Sequence, residues 1–125
     1  MNFDVLFLGD KDEFGGFVME LFEVWSLGAI RYENVNTLQT VLRPGAARIL
    51  VIEFDHLKTQ ISEFVEKMNL ANCPIPVLLL SGNKELSEQL KSLGLNSNIQ
   101  VLSKPFPMID LKEKLFEMVL GLEQE

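Results

Sequence analysis

The sequence predicts an α/β fold in which a five-stranded parallel sheet is covered by helices on both faces. Five short apolar runs recur along the 125 residues, and the segments between them carry apolar residues at helical spacing. Asp, Asn, Gly and Pro residues separate these segments and supply start and stop signals for helices. Strands that alternate with helices indicate a parallel sheet with both faces buried. We therefore expect a doubly wound (βα)5 domain.

The predicted strands are Val5–Leu8, Ala29–Tyr32, Ile49–Ile52, Val77–Leu80 and Ile99–Leu102. Strands that are buried on both faces read as continuous apolar runs, and the first, third and fourth runs do so. The second run is more polar, because it includes Arg31 and is followed by Glu33, so it is expected at an edge. Five strands in a doubly wound sheet predict the flavodoxin-like order 2-1-3-4-5.

Three of the helices are indicated by apolar faces with a period near 3.6 residues. Their apolar positions are Phe14, Phe17, Val18, Leu21, Phe22 and Trp25, then Leu57, Ile61, Phe64, Val65 and Met68, and finally Leu111, Leu115, Met118, Val119 and Leu122. Two shorter helices are marked by Leu38, Val41 and Leu42, and by Leu86, Leu90 and Leu93. Expected helix caps are Asp10 or Asp12, Asn36 and Asn83, and expected stops are Gly28, Gly45 and Gly94.

The charge balance excludes several classes of partner. The chain has 18 acidic and 11 basic residues and a formal net charge of −7. Nucleic acids and anionic membrane surfaces repel such a surface, so we expect neither as a direct partner. No apolar stretch approaches the roughly 20 residues that a membrane-spanning helix needs.

Cysteine content and length indicate where the chain works and how it is organised. Cys73 is the only cysteine, so an internal disulfide is impossible and a reducing compartment is expected. The N-terminus lacks the features of a signal peptide, which makes the predicted location cytoplasmic. We expect residues 1–122 to form one domain and residues 123–125 to form a short acidic tail.

The place of a functional site follows from the predicted topology. Ligands of open parallel sheets bind at the carboxyl ends of the strands, near the switch point between strands 1 and 3. The side chains that this rule selects are acidic, hydroxyl and basic. They are Asp10, Lys11 and Asp12 after strand 1, Glu53 and Asp55 after strand 3, Ser81 at the end of strand 4, and Lys104 after strand 5.

Over its whole length the chain resembles the response-regulator receiver family. The most specific segments are Leu80-Ser81-Gly82 and Ser103-Lys104-Pro105-Phe106, with acids at matching intervals near residues 10 and 53. The resemblance implies that acids after strand 1 hold Mg²⁺, and that an Asp at the end of strand 3 accepts a phosphoryl group. It also implies that Ser81, Lys104 and Pro105 form the positions that contact the phosphoryl oxygens and report its presence.

Several residues depart from the family pattern. Asp10 matches the second strand-1 acid, but Gly9 stands at the first, and Glu53 stands where the acceptor Asp belongs. Val101 stands three residues before Lys104, where the family usually has an aromatic residue. Because Mg²⁺ demands near-octahedral oxygen coordination, only a weak site is expected, from Asp10, Glu53 and the Asp55 carbonyl.

Two carboxylates have alternative interpretations. The longer Glu53 side chain could form a standing ion pair with Lys104 that imitates part of the charge of an acylphosphate. Asp55 is either a substitute acceptor or the cap of the next helix. Asp12 is interpreted as part of a favourable negative first turn of a helix, and His56 as a solvated loop residue.

The leading functional hypothesis is a degenerate receiver that binds a partner protein without phosphorylation. The resemblance implies a contact face formed by the fourth helix, fifth strand and fifth helix, at Lys84–Leu93, Gln100–Leu102 and Met108–Val119, which could also mediate a homodimer. The alternative is a working receiver that uses Mg²⁺ and accepts a phosphoryl group on Glu53 or Asp55. An enzyme on the same scaffold is a third reading, but no pair of nucleophile and base and no cofactor motif is visible.

Overall fold

A computed structural model of the chain describes residues 3–94 and 98–123, the last three by their backbone alone. Its five parallel strands are β1 (Phe3–Leu8), β2 (Ala29–Tyr32), β3 (Ala47–Glu53), β4 (Val77–Ser81) and β5 (Ile99–Ser103). The strand order is β2-β1-β3-β4-β5, which confirms the predicted doubly wound order. The polar second strand lies at an edge of the sheet, as predicted.

Five longer helices connect or follow the strands. They are α1 (Glu13–Val24), α2 (Val35–Val41), α3 (Ile61–Met68), α4 (Leu86–Ser92) and α5 (Met108–Glu123). A one-turn helix, Phe54–Leu57, and a 3₁₀ turn, Leu70–Asn72, were not predicted. The prediction that Leu57 belongs to α3 is wrong, because Lys58 adopts a left-handed conformation with φ of 51° and ends the one-turn helix. Helix α5 continues through Glu123, one residue into the predicted tail; the rest of that tail lies outside the described residues.

The core consists of two layers, one on each face of the sheet. Alternate residues of a strand point to opposite faces, so Val5 and Phe7 pack with α1 and α5, whereas Leu6 and Leu8 pack with α2, α3 and α4. Full burial of each such side chain contributes about 1.5–3 kcal/mol relative to exposure. The central strands thus anchor helices on both sides and fix the edge where the strands end.

Two predicted core positions are instead exposed. Phe17 keeps 45% of its surface accessible, and Leu93 also remains exposed. Phe17 directly precedes the fully buried Val18, and successive residues of a helix are turned by about 100°. Phe17 therefore lies at the margin of the buried stripe of α1.

The helix ends partly follow the predicted signals. Oδ1 of Asp12 accepts a hydrogen bond from the amide of Gly15 at 2.7 Å and caps α1, as predicted. The cap of α2 is Asn34 and not Asn36, because Asn36 supplies the amide that Asn34 Oδ1 accepts. After α1 the left-handed residue is Ser26, with φ of 59°, and not the predicted Gly28.

Candidate functional site

The candidate site lies at the carboxyl ends of β3, β4 and β5. Glu53 ends β3, Ser81 ends β4 and Ser103 ends β5, and the parallel register pairs Ser81 with Ser103. The amide of Lys104 donates to the carbonyl oxygen of Ser81 at 2.9 Å, which places the lysine over the neighbouring strand end. Pro105 follows through a cis peptide bond. The topology therefore brings Glu53, Ser81 and Lys104 together, as the sequence predicts.

Glu53 and Lys104 form an ion pair. Nζ of Lys104 lies 2.5 Å from Oε2 of Glu53, while Oε1 accepts the amide of Asp55 at 3.1 Å and caps the one-turn helix. Glu53 is only 3% exposed. The standing ion pair proposed from the sequence is therefore present, and both carboxylate oxygens of Glu53 are engaged.

Asp55 lies in the first turn of the one-turn helix, and the prediction that it caps a helix is wrong, because Glu53 does so. Its Oδ1 accepts the hydroxyl of Ser81 at 2.5 Å, and its Oδ2 accepts the amide of Gly82 at 2.8 Å. Lys104 Nζ lies 3.5 Å from the same Oδ2. A hydroxyl, an amide and an ammonium group thus converge on one carboxylate.

The charge of Asp55 is favoured by these donors. Partial burial acts to raise the pKa of Asp55, but the Ser81 hydroxyl, the Gly82 amide and the positive charge of Lys104 together outweigh it. The pKa of Asp55 therefore lies below its ordinary value. Hydrogen bonds to the ionised form have this effect because they stabilise the charge directly.

The other side of Lys104 is aromatic. Its Nζ lies 4.1 Å from the centre of the Phe14 ring, and Phe14 meets Phe106 edge to face with ring centres 6.3 Å apart. A cation over the face of an aromatic ring is attracted by the negative charge of that face. Lys104 therefore has three intramolecular partners, which are Glu53, Asp55 and the Phe14 ring.

The loop after β1 has different contacts. Oδ1 of Asp10 accepts the amide of Lys11 at 2.7 Å, and Oδ2 lies 3.7 Å from Nδ1 of His56. His56 lies in the one-turn helix and not in a loop, and 31% of its side chain is exposed. A Cβ atom on Gly9 would lie 2.7 Å from Cζ of the buried Phe7 ring. Phe7 thus fills the space that a side chain at position 9 would need.

Solved receiver domains share this architecture. The signal receiver domain of a Vibrio parahaemolyticus protein assigned as a LuxO repressor has a TM-score of 0.75 at 13% identity, over 99% of this chain and 95% of that one. The Vibrio cholerae chemotaxis protein CheY4 has a TM-score of 0.68 at 15% identity, over 94% of this chain and 99% of its own. The chain has the receiver-domain fold.

A third solved receiver domain is equally informative about the fold. It belongs to the sensor histidine kinase PA1611 of Pseudomonas aeruginosa PAO1 and has a magnesium ion coordinated in its active site cleft. Its TM-score is 0.72 at 11% identity, over 95% of this chain and 98% of that domain. No protein-family model matches the sequence, and no curated protein is significantly similar to it.

The acids of the site contact groups of the protein itself. Asp10 contacts His56 and Lys11, Glu53 contacts Lys104, and Asp55 contacts Ser81 and Gly82. Among the described residues, no group of three or more His, Cys, Asp or Glu side chains is placed to hold a metal ion. The weak Mg²⁺ site expected from Asp10, Glu53 and the Asp55 carbonyl includes a backbone oxygen, so it stays a prediction.

Sequence reasoning missed the aromatic contacts of the site. The helical period places Phe14 on the buried face of α1. Its position in the first turn, next to the loop after β1, is the feature of the sequence that could have indicated a contact with the site. The amide of Gly82 was also missed, since a backbone donor leaves no trace in residue type.

In the part of the chain that the structure describes, none of the helices has both the length and the apolar character that a membrane span requires.

Proposed function

We propose that the chain is a signal-transduction module of the two-component type, a degenerate receiver that acts by protein–protein interaction without phosphorylation. The observation that carries this proposal is the buried Glu53–Lys104 ion pair at the acceptor position. A carboxylate that is 3% exposed and bonded through both oxygens is poorly placed to attack a phosphodonor.

The chemistry of phosphoryl transfer supports this proposal. Transfer depends almost wholly on positioning of the reacting groups and on metal charge. Lys104 is engaged by Glu53 and Asp55, and the space beside Gly9 is filled by the Phe7 ring. The contacts that would position a phosphodonor are therefore made within the chain itself.

A phosphodonor assay tests the proposal. The protein is incubated with acetyl phosphate and Mg²⁺ and examined by intact-mass spectrometry, with an active receiver domain as the positive control. An unchanged mass is expected. Amide shifts in NMR spectra with Mg²⁺ and beryllofluoride provide a second readout, and a stable adduct or shifts clustered at Glu53, Ser81 and Lys104 would refute the proposal.

A second candidate function is favoured by the exposure of Asp55. Its side chain is 41% exposed and contacts both Ser81 and Lys104, so it is the more accessible of the two carboxylates that contact Lys104. In this alternative Asp55 is the phosphoryl acceptor of a working receiver that uses Mg²⁺. The same assay on two variants decides it: phosphorylation retained in Glu53→Gln and lost in Asp55→Asn would establish Asp55 as the acceptor.

The partner surface that we propose is the face of α4, β5 and α5, comprising Lys84–Leu93, Gln100–Leu102 and Met108–Val119. It carries the exposed apolar side chains of Leu93, Met108 and Ile109. Nζ of Lys114 donates to Oε1 of Gln100 at 3.0 Å and ties α5 to β5. Another signalling protein, or a second copy of the chain, would cover this face.

Sedimentation velocity tests the second-copy version of this surface. Self-association that rises with concentration is expected, and Ile109→Ser should weaken it. Val24→Ser is the matched control, since Val24 is 74% exposed on α1, outside the proposed face. A monomer at every concentration would reject the homodimer.

The remaining features are consistent with a cytoplasmic, non-enzymatic module. The net charge of −7 opposes direct binding to nucleic acid or to an anionic membrane. The Ser81 hydroxyl donates to the Asp55 carboxylate and accepts the amide of Asn83, and the proposal gives these contacts a structural role.

A further inference from the structure

Three hydrogen-bond donors at the candidate site form an oxyanion cradle, which we define as Ser81 Oγ, the Gly82 amide and Lys104 Nζ. All three face the carboxylate of Asp55, at 2.5, 2.8 and 3.5 Å respectively. One neutral hydroxyl, one backbone dipole and one cation are the kinds of group that stabilise an oxyanion. In this chain the oxyanion is supplied by the protein itself.

The cradle is connected to the start of α4 by further hydrogen bonds. The Ser81 hydroxyl oxygen accepts the amide of Asn83 at 3.0 Å, and Oδ1 of Asn83 accepts the amide of Glu85 at 3.0 Å. Nδ2 of Asn83 donates to Oε1 of Gln89 inside α4, at 3.3 Å. The orientation of the Ser81 hydroxyl, set by Asp55, is therefore relayed to the residues that begin α4.

We propose that Asp55 is a built-in ligand of the oxyanion cradle and holds the connection between β4 and α4, residues 82–85, in one fixed arrangement. This inference rests on the proposed function in one respect, since α4 belongs to the proposed partner face. It specifies the regulation of that face: an internal carboxylate, present in every molecule, takes the place of a signal-dependent anion.

The tether favours Asp55 over a dissolved anion as the occupant of the cradle. A group that is linked to its site binds with a high effective concentration and loses little further freedom on binding. The amide of Asp55 is fixed by Oε1 of Glu53, so the carboxylate is held over the cradle by the one-turn helix. Ser81 is fully buried, and removal of its acceptor would leave a buried hydroxyl without that bond, which is unfavourable.

Chemical rescue with hydrogen exchange tests the proposal. Asp55→Ala removes the carboxylate, and the amides of Gly82, Asn83 and Glu85 should then exchange about tenfold faster, because a hydrogen bond to a charged group is lost and the relay loosens. Sodium formate, a carboxylate small enough to enter the vacated space, should restore protection. Sodium chloride at equal ionic strength should not.

Two further variants keep the test decisive. Asp55→Asn preserves the size of the side chain but presents at most one acceptor oxygen to the three donors of the cradle, so it should also increase exchange at Gly82 and Asn83, with formate giving no rescue. Glu66→Ala removes an exposed carboxylate on α3 and should leave these amides unchanged. Unchanged exchange in both Asp55 variants, or equal rescue by chloride, would overturn the proposal.

The hydrogen-exchange test of the built-in ligand and the acetyl phosphate test of the proposed function can fail independently. If acetyl phosphate modifies the wild-type chain, the degenerate reading fails whatever the exchange rates show. If the wild type stays unmodified and the Asp55 variants exchange like the wild type, the module remains a degenerate receiver and only the built-in ligand is rejected.

Discussion

The ring of Phe7 lies where a side chain at position 9 would stand. A Cβ atom added to Gly9 would come within 2.7 and 2.9 Å of two ring carbons of Phe7. Phe7 is fully buried and meets Phe22 edge to face, with ring centres 5.9 Å apart. The same Phe7 ring therefore packs α1 against β1 and occupies the space that an acidic side chain at position 9 would need.

Gly9→Ala is consequently expected to destabilise the fold by about 1–3 kcal/mol, the usual cost of overpacking a core. Urea unfolding followed by far-UV circular dichroism measures this change. The double variant Phe7→Leu/Gly9→Ala should lose less than the sum of the single losses, because the smaller side chain relieves the contact. Additive losses would show that the two positions do not interact.

Gly15 and Gly16 provide a matched pair of adjacent glycines in α1. A Cβ on Gly15 would lie 1.9 Å from the carbonyl oxygen of Asp10, whereas a Cβ on Gly16 meets nothing within 4 Å. Gly15→Ala should therefore disturb the loop after β1 and destabilise the protein. Gly16→Ala should stabilise it by about 0.5–1 kcal/mol, as alanine does in a helix interior. Thermal unfolding of both variants checks the opposite signs, and equal effects would contradict them.

The two halves of the Glu53–Lys104 ion pair should differ in what their loss costs. Lys104→Met leaves the buried carboxylate of Glu53 without its cation, and we expect a loss of about 3–5 kcal/mol. Glu53→Gln leaves Lys104 with Asp55 and the Phe14 ring, so a smaller loss of about 1–3 kcal/mol is expected. Chemical unfolding compares them, and the reverse order would show that Glu53 does not depend on Lys104.

Stability should depend on pH through Asp55. Its pKa is lowered in the folded state, so its contribution is complete above the unfolded pKa of about 3.9 and is lost as pH falls through the lower, folded pKa. Ser81→Ala removes one of the groups that lower this pKa and should move it upward. An NMR titration of the Asp55 side-chain carboxyl carbon measures the shift. A titration midpoint that is identical in the wild type and in Ser81→Ala would refute the assigned cause.

Much of the fold could be read from local patterns. The apolar runs at Val5–Leu8 and Val77–Leu80 marked central strands, because a strand between two helical layers must be apolar on both faces. The polar run at Ala29–Tyr32 marked the edge for the same reason. The exposure of Phe17 could not be read in this way, since the width of the buried stripe depends on what packs against the helix.

The sequence by itself also determined which side chains meet, because the carboxyl ends of parallel strands lie at one edge and place Glu53, Ser81 and Lys104 together. Only the tertiary structure decided how they pair. The one-turn helix Phe54–Leu57 places the Asp55 carboxylate within hydrogen-bond distance of Ser81 and Gly82. The packing of α1 places the Phe14 ring next to Lys104. These contacts join residues far apart in the chain at distances of a few ångströms, and they depend on side-chain directions that no local periodicity encodes.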